Sequence, residues 1–170
     1  MRNERGKGKK NSSYFRISPS ILVMRTAIHI RGMIIVRWQR ALLALLKERK
    51  DHSIALAIDT SNRPARPVLI QNIVKLFEKL RPDTLLVQAD FKIRDVSPVG
   101  VATIKYFKHG KSSYTEVLEW AAAQKIDTLF YITDVTGYFY EELQVDYEVF
   151  WLVPDDYMPR VPFGKPIRVA

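Results

Sequence analysis

From Asp51 onward the chain alternates short apolar runs with longer amphipathic stretches, and this rhythm constrains the fold more than any other feature. A strand buried on both faces of a parallel sheet is apolar throughout, and parallel neighbours need a crossover long enough to hold a helix. Ser53 to Ile58, Thr84 to Gln88, Thr128 to Thr133 and Tyr147 to Val153 are runs of that kind. Phe91 to Val96 carries Phe91, Ile93 and Val96 in a pattern that predicts a strand at the edge beside the second run. Between the runs, Pro67 to Leu80 places Ile70, Ile73, Val74, Phe77 and Leu80 on one helical face, and Arg81-Pro82-Asp83 stops it. A further helix carries Val117, Leu118 and Trp120, with Ser112 or Ser113 as its cap. Val101 to Phe107 reads either as a strand extension or as a short helix, and Pro162 to Val169 closes the chain as an extended segment. The expected fold is α/β: an open, mostly parallel sheet with helices on both faces.

A length of 170 residues suits one domain plus an arm, and a hydrophobic fraction of 47% is ordinary for a folded chain. The absence of cysteine excludes disulfides, thiolate metal sites and a cysteine nucleophile. Charge divides the chain. Residues 1–50 hold thirteen Lys and Arg against two acidic residues, a net +11, whereas residues 51–170 hold fourteen against sixteen, a net −2. Arg2 to Ser13 contains no apolar residue, so a disordered basic tail is expected over residues 1–17.

Ser18, Pro19 and Ser20 offer a helix start, which predicts a basic helical arm over residues 18–50 ahead of a body at 51–170. Ile28, Ile30, Ile34, Ile35 and Val36 are β-branched and leave a strand open in the first half of that arm. From Val36 to Lys50 the helix is firmer, because Trp38, Leu42, Leu45 and Leu46 recur at helical spacing. Arg25, His29, Arg31 and Arg37 interrupt every apolar stretch that approaches bilayer length, and the start lacks the pattern of a secretory signal. A soluble, cytoplasmic protein is the expectation.

In open α/β sheets, ligands bind beyond the carboxyl ends of the strands. Asp59 follows the first expected strand and Asp134 the fourth, Thr128 to Thr133; Ser61 lies two residues beyond Asp59, and Ser112 precedes the helix that leads into that fourth strand. Carboxylates and hydroxyls drawn from three loops make an all-oxygen site suited to Mg²⁺ or Mn²⁺. The alternative is that Asp59 and Ser112 cap helices and Asp134 opens a turn.

Ile54-Ala-Leu-Ala-Ile-Asp59-Thr-Ser61-Asn-Arg63 resembles the first strand and the DxSxS loop of von Willebrand A (VWA) domains, their metal-ion-dependent adhesion site. Gly110-Lys-Ser112-Ser-Tyr-Thr-Glu-Val-Leu-Glu-Trp120 resembles the Gly-Gly-Thr-Asp-Phe segment that supplies a threonine ligand there, and Tyr131-Ile-Thr-Asp134-Val-Thr-Gly137 resembles the strand and aspartate that complete the site. Arg37-Trp38-Gln-Arg-Ala-Leu-Leu43, Val149-Phe-Trp-Leu-Val-Pro154 and Val161-Pro-Phe-Gly-Lys-Pro-Ile-Arg168 are similar, in order, to segments of a bacterial VWA-like family whose longer members place a metallopeptidase-like domain first. The likeness runs over roughly residues 36–170. By position it implies Asp59, Ser61, Ser112 and Asp134 as metal ligands, with Arg63 where a second serine is usual and Ser113 where an aspartate is usual.

Arg63 adds a cation and no acceptor. Either its guanidinium takes the ion's place between Asp59 and Asp134, or it faces solvent and a weakened Mg²⁺ or Mn²⁺ site remains. The resemblance implies a non-enzymatic protein-interaction module that works with ring-forming AAA+ ATPases of the MoxR type. A second reading is nucleic-acid binding through the basic residues 1–50; a metal-dependent hydrolase is the third. His29, His52 and His109 are scattered and form no HExxH pair, and Gly6 to Lys10 lacks the flanks of a phosphate loop. Tyr138, Phe139 and Tyr140 follow Asp134 and read either as a recognition patch or as packing under the loop.

Overall fold

The computed structural model describes residues 28–30, 33–62, 64–107, 112–140 and 142–170. The chain divides into two units, residues 1–34 and 35–170. The first contains β1 (Ile28–Ile30), which pairs with β2 (Met33–Ile35) in a two-stranded sheet. A helical arm over residues 18–50 is therefore corrected at 28–30 and 33–35, where β-branched isoleucines take extended backbone. The tail expected over residues 1–17 lies outside the described residues.

The second unit opens with α1 (Arg37–Glu48), where the Gln39 side chain accepts a hydrogen bond from the Val36 N–H at 3.1 Å. Then follow β3 (Ile54–Asp59), α2 (Pro67–Leu80), β4 (Leu85–Ala89), β5 (Ile93–Pro98), α3 (Thr115–Ala123), β6 (Thr128–Ile132), β7 (Glu148–Val153) and β8 (Lys165–Arg168). Pro67 at the first turn of α2 sits where a missing N–H does no harm. Among the described residues no helix is long and apolar enough to cross a membrane.

The six strands β3 to β8 form one sheet in the order β5-β4-β3-β6-β7-β8, parallel except for β5, which runs antiparallel on the edge beside β4. On the other edge, β8 carries Pro166, which an edge strand tolerates. Helices cover both faces. Leu42 and Leu46 of α1 and Ile70, Ile73 and Phe77 of α2 pack with Leu56 and Ile58 on one face. Val117, Leu118 and Ala121 of α3 pack with Ala55 and Ala57 on the other. Each large apolar side chain fully buried in this way contributes about 1.5–3 kcal/mol.

Val101 to Phe107 is neither strand nor helix beyond its first turn residue. Its backbone is held by a buried side chain: Gln88 Oε1 accepts from the Lys105 N–H at 2.8 Å, and Gln88 Nε2 donates to the Thr103 carbonyl at 3.0 Å. The Phe107 N–H donates to the Thr60 carbonyl at 2.7 Å. Amide chemistry thus replaces a strand ladder and ties this segment to the loop after β3.

Candidate functional site

The chain leaves β3 toward β4 on one side and returns to β6 on the other, so the crossovers through α2 and α3 run in opposite directions across the sheet. Crossovers of one hand then place those helices on opposite faces and open a crevice at the carboxyl ends of β3 and β6. A cavity of about 290 Å³ lies there. Asp59, Ser61 and Asp134 line it, together with Thr133, Asp155 and Arg66.

Asp59 is held by two donors from separate parts of the rim. Its Oδ1 accepts from the Ser61 N–H at 2.9 Å, and its Oδ2 accepts from the Thr133 hydroxyl at 3.1 Å. Thr133 is buried, and its Oγ1 also accepts from the Val135 N–H at 3.0 Å and lies 2.8 Å from the Tyr114 hydroxyl. A carboxylate only accepts, so the single Thr133 proton goes to Asp59 and the Tyr114 phenol must donate to Thr133. Tyr114 in turn accepts from the Gly137 N–H at 2.8 Å. One directed chain of hydrogen bonds therefore joins the loop after β6, the start of α3 and the end of β3. Burial pushes the Tyr114 phenol up to about 12, and the negative charge of Asp59 adds to the rise.

Asp134 is exposed at the cavity rim, where its Oδ1 accepts from both the N–H and the hydroxyl of Thr136, at 3.0 and 2.7 Å. Val135, the next residue, has φ +60°, a left-handed backbone that a β-branched residue adopts only at a cost of about 1–2 kcal/mol. On the α2 side, Arg66 pairs with Asp156 at 2.9 Å. The chain matches no family model, no curated protein and no solved structure. What the site does has to be argued from its own geometry.

The expected residues divide. Asp59, Ser61 and Asp134 share the cavity; Ser112 and Ser113 do not line it. Ser112 is buried, and a Cβ built on Gly137 would run into its hydroxyl. Its carbonyl accepts from the Tyr138 N–H at 2.9 Å, while the Ser113 N–H donates to the Asp90 carbonyl at 3.0 Å. Neither serine caps α3: the cap position is Tyr114, without a side-chain bond. Arg63, with the guanidinium bridge drawn for it, lies outside the described residues. Among the described residues no three His, Asp or Glu side chains stand close enough to hold a metal ion together. An ion at Asp59 or Asp134 would take its further oxygens from Ser61 and water.

Asp155, Thr133 and Tyr114 were not singled out from the sequence. Asp155 stands just past the end of β7, so the strand-end rule that found Asp59 and Asp134 applies to it equally. Tyr114 had no comparable signal, because its role depends on two loops meeting above it. Beside the cavity, fully buried Asp90 is clamped by Arg94, whose Nη2 donates at 2.8 Å and whose guanidinium lies 4.9 and 5.0 Å from the ring centroids of Phe91 and Phe107. That pair, with the Lys92 N–H on Asp90 at 3.1 Å, stiffens the turn after β4 that the Ser113 N–H bonds to.

Proposed function

We propose that this chain is a non-enzymatic protein-interaction module, a VWA-like domain with a degenerate adhesion site. In this reading it acts in the cytoplasm as an adaptor partner of a MoxR-type AAA+ ATPase. One observation carries it: Asp59, Ser61 and Asp134, from loops 73 residues apart at their closest, line a single cavity where the strand order reverses. The motif likeness and this placement are independent of each other. Asp59, Ser61 and Asp134 are the residues that would hold Mg²⁺ or Mn²⁺; Ser112 stands apart from the cavity. When bound, such an ion offers an open position to a partner carboxylate. The Arg63 guanidinium can instead meet that carboxylate directly, through a charge-assisted pair.

The test has two arms. Calorimetric titration of Mg²⁺ and Mn²⁺ into the wild type and Arg63→Ser separates the two forms of the site: binding gained only in the variant supports the guanidinium, and tight binding by the wild type supports the ion. Affinity for the MoxR-type ATPase of the source organism is then measured for the wild type and Asp134→Ala. Equal affinities, or no association by either protein, reject the adaptor reading.

The excess of +11 on residues 1–50 favours one second reading, nucleic-acid binding through the arm. It expects affinity for a DNA or RNA duplex to fall steeply with salt and to vanish without residues 1–10.

A further inference from the structure

The segment between β6 and β7 is built with two unlike sides. From Asp134 to Tyr147, every odd-numbered described residue is at least partly buried and every even-numbered described residue is exposed. Val135, Phe139, Leu143, Val145 and Tyr147 pack against the α3 face of the sheet. Phe139 is the anchor, its ring centroid 4.9 Å from that of Tyr114, 5.5 Å from Trp151 and 5.9 Å from Phe163. The Tyr147 hydroxyl fixes the far end by donating to the Leu118 carbonyl at 2.7 Å. At the near end Tyr138 lies opposite Ser113 in an isolated parallel bridge: its N–H donates to the Ser112 carbonyl at 2.9 Å, and its carbonyl accepts from the Tyr114 N–H at 3.1 Å.

With Phe139 held inward, Tyr138 and Tyr140 are turned outward, 62% and 72% exposed. The segment 134–147 carries four acidic residues, Asp134, Glu141, Glu142 and Asp146, and no basic one. The outward side of the described residues therefore presents two tyrosine rings together with exposed Asp134, Glu142 and Asp146, although the chain as a whole is strongly basic. Tyrosine faces and carboxylates both attract guanidinium, and a surface ordered in advance loses little entropy on binding.

We propose that this face docks an arginine-bearing, unfolded segment of a partner protein, with Tyr138 and Tyr140 receiving guanidinium groups and the carboxylates setting affinity and register. The inference rests on the interaction-module reading and supplies the chemistry of the partner, but it does not depend on an ion or on Arg63.

The probes are three ten-residue peptides of alternating Gly-Arg, Gly-Lys and Gly-Glu, titrated by calorimetry into the full chain. Gly-Arg is expected to bind saturably and more tightly than Gly-Lys, and Gly-Glu not to bind. Tyr138→Ala with Tyr140→Ala should weaken Gly-Arg binding roughly fivefold or more, whereas Tyr138→Phe with Tyr140→Phe should retain it. Circular dichroism checks that both variants stay folded. Unchanged Gly-Arg affinity in the double alanine variant overturns the proposal, as does binding of Gly-Glu or of anionic vesicles that the same variant abolishes. Asp59→Asn, which leaves the tyrosine face untouched, should keep Gly-Arg binding even where ATPase association is lost, so the two readings fail separately.

Discussion

Deleting one oxygen atom tests the hydrogen-bond relay under Asp59. In Tyr114→Phe the ring keeps its neighbours, Tyr131 at 5.2 Å and Trp151 at 5.5 Å between centroids, and only the phenol oxygen goes. That oxygen lies 2.8 Å from Thr133 Oγ1 and 2.8 Å from the Gly137 nitrogen. Its loss leaves a part-buried backbone donor without its partner, a cost of about 1–3 kcal/mol, and removes a donor from Thr133, about 0.5–1.5 kcal/mol. Phenylalanine is easier to desolvate, so the net destabilisation should be about 2 kcal/mol. For a chain of this length that is a fall in Tm of roughly 4–8 °C. Urea unfolding with an unchanged slope measures it. Thr133→Val breaks the same Tyr–Thr bond from the other side, so the double variant should lose less than the sum of the singles, by about 1 kcal/mol. A Tyr114→Phe effect below about 0.5 kcal/mol, or strict additivity, would refute the relay.

Gly137→Ala brings a carbon to within 2.6 Å of Tyr114 Cζ, and a ring packed on three sides cannot retreat; a loss of about 1–3 kcal/mol is expected in the same urea assay. Lys125, exposed at φ +54° after α3, carries the closing bonds Lys125 N–H to Ala122 O and Ile126 N–H to Ala121 O, both 3.0 Å. Lys125→Gly should therefore stabilise the protein by about 0.5–1 kcal/mol with no packing lost. The Arg49 side chain, donating to Glu148 at 2.9 Å from Nη2, holds that carboxyl below its ordinary value. Its contribution is complete above the unfolded pKa of about 4.3 and disappears as pH falls through the depressed folded value, so Glu148→Gln should flatten the acid limb of the stability–pH curve. The raised Tyr114 phenol has the opposite sign: its contribution is present below pH of about 10 and lost as pH rises toward about 12, and ultraviolet titration should show that hydroxyl ionising only with unfolding.

The body of the fold was legible because strands buried on both faces leave uninterrupted apolar runs, and α2 was readable from Pro67 to Leu80 because proline and a helical stripe mark it at both ends. The arm was less legible: at Ile28–Ile30 and Met33–Ile35 a β-branched run outweighed a plausible helix start. Asp59, Ser61 and Asp134 could be placed together from strand-end position alone. Ser112 could not, because its carbonyl is taken by the Tyr138 N–H and its hydroxyl sits where Gly137 closely approaches Tyr114, and neither contact has a local signature. The alternation of Val135, Phe139, Leu143, Val145 and Tyr147 is written in the sequence, yet it makes no sheet strand. Period two there reports one buried side, not a hydrogen-bonded partner.

The two faces of the central strands explain why the site is where it is. Toward α2, β3 presents Leu56 and Ile58 and β4 presents Leu86; toward α3 the same strands present only Ala55, Ala57, Val87 and Ala89. Small residues on that side leave depth for a layer of Tyr114, Tyr131 and Trp151, with Tyr131 and Trp151 stacked at 5.6 Å. Two members of the layer carry hydroxyls toward the carboxyl ends, and Tyr114 uses its own to reach Thr133 beneath Asp59. The Tyr131 hydroxyl, fully buried, has no hydrogen-bond partner among the described residues. A layer of aliphatic side chains would fill the same volume with less unsatisfied polarity, so stability alone does not account for it. The same aromatics receive Phe139 and thereby aim Tyr138 and Tyr140 outward. One packing choice, alanine opposite tyrosine, thus builds both the support beneath the carboxylates and the frame of the exposed face beside them.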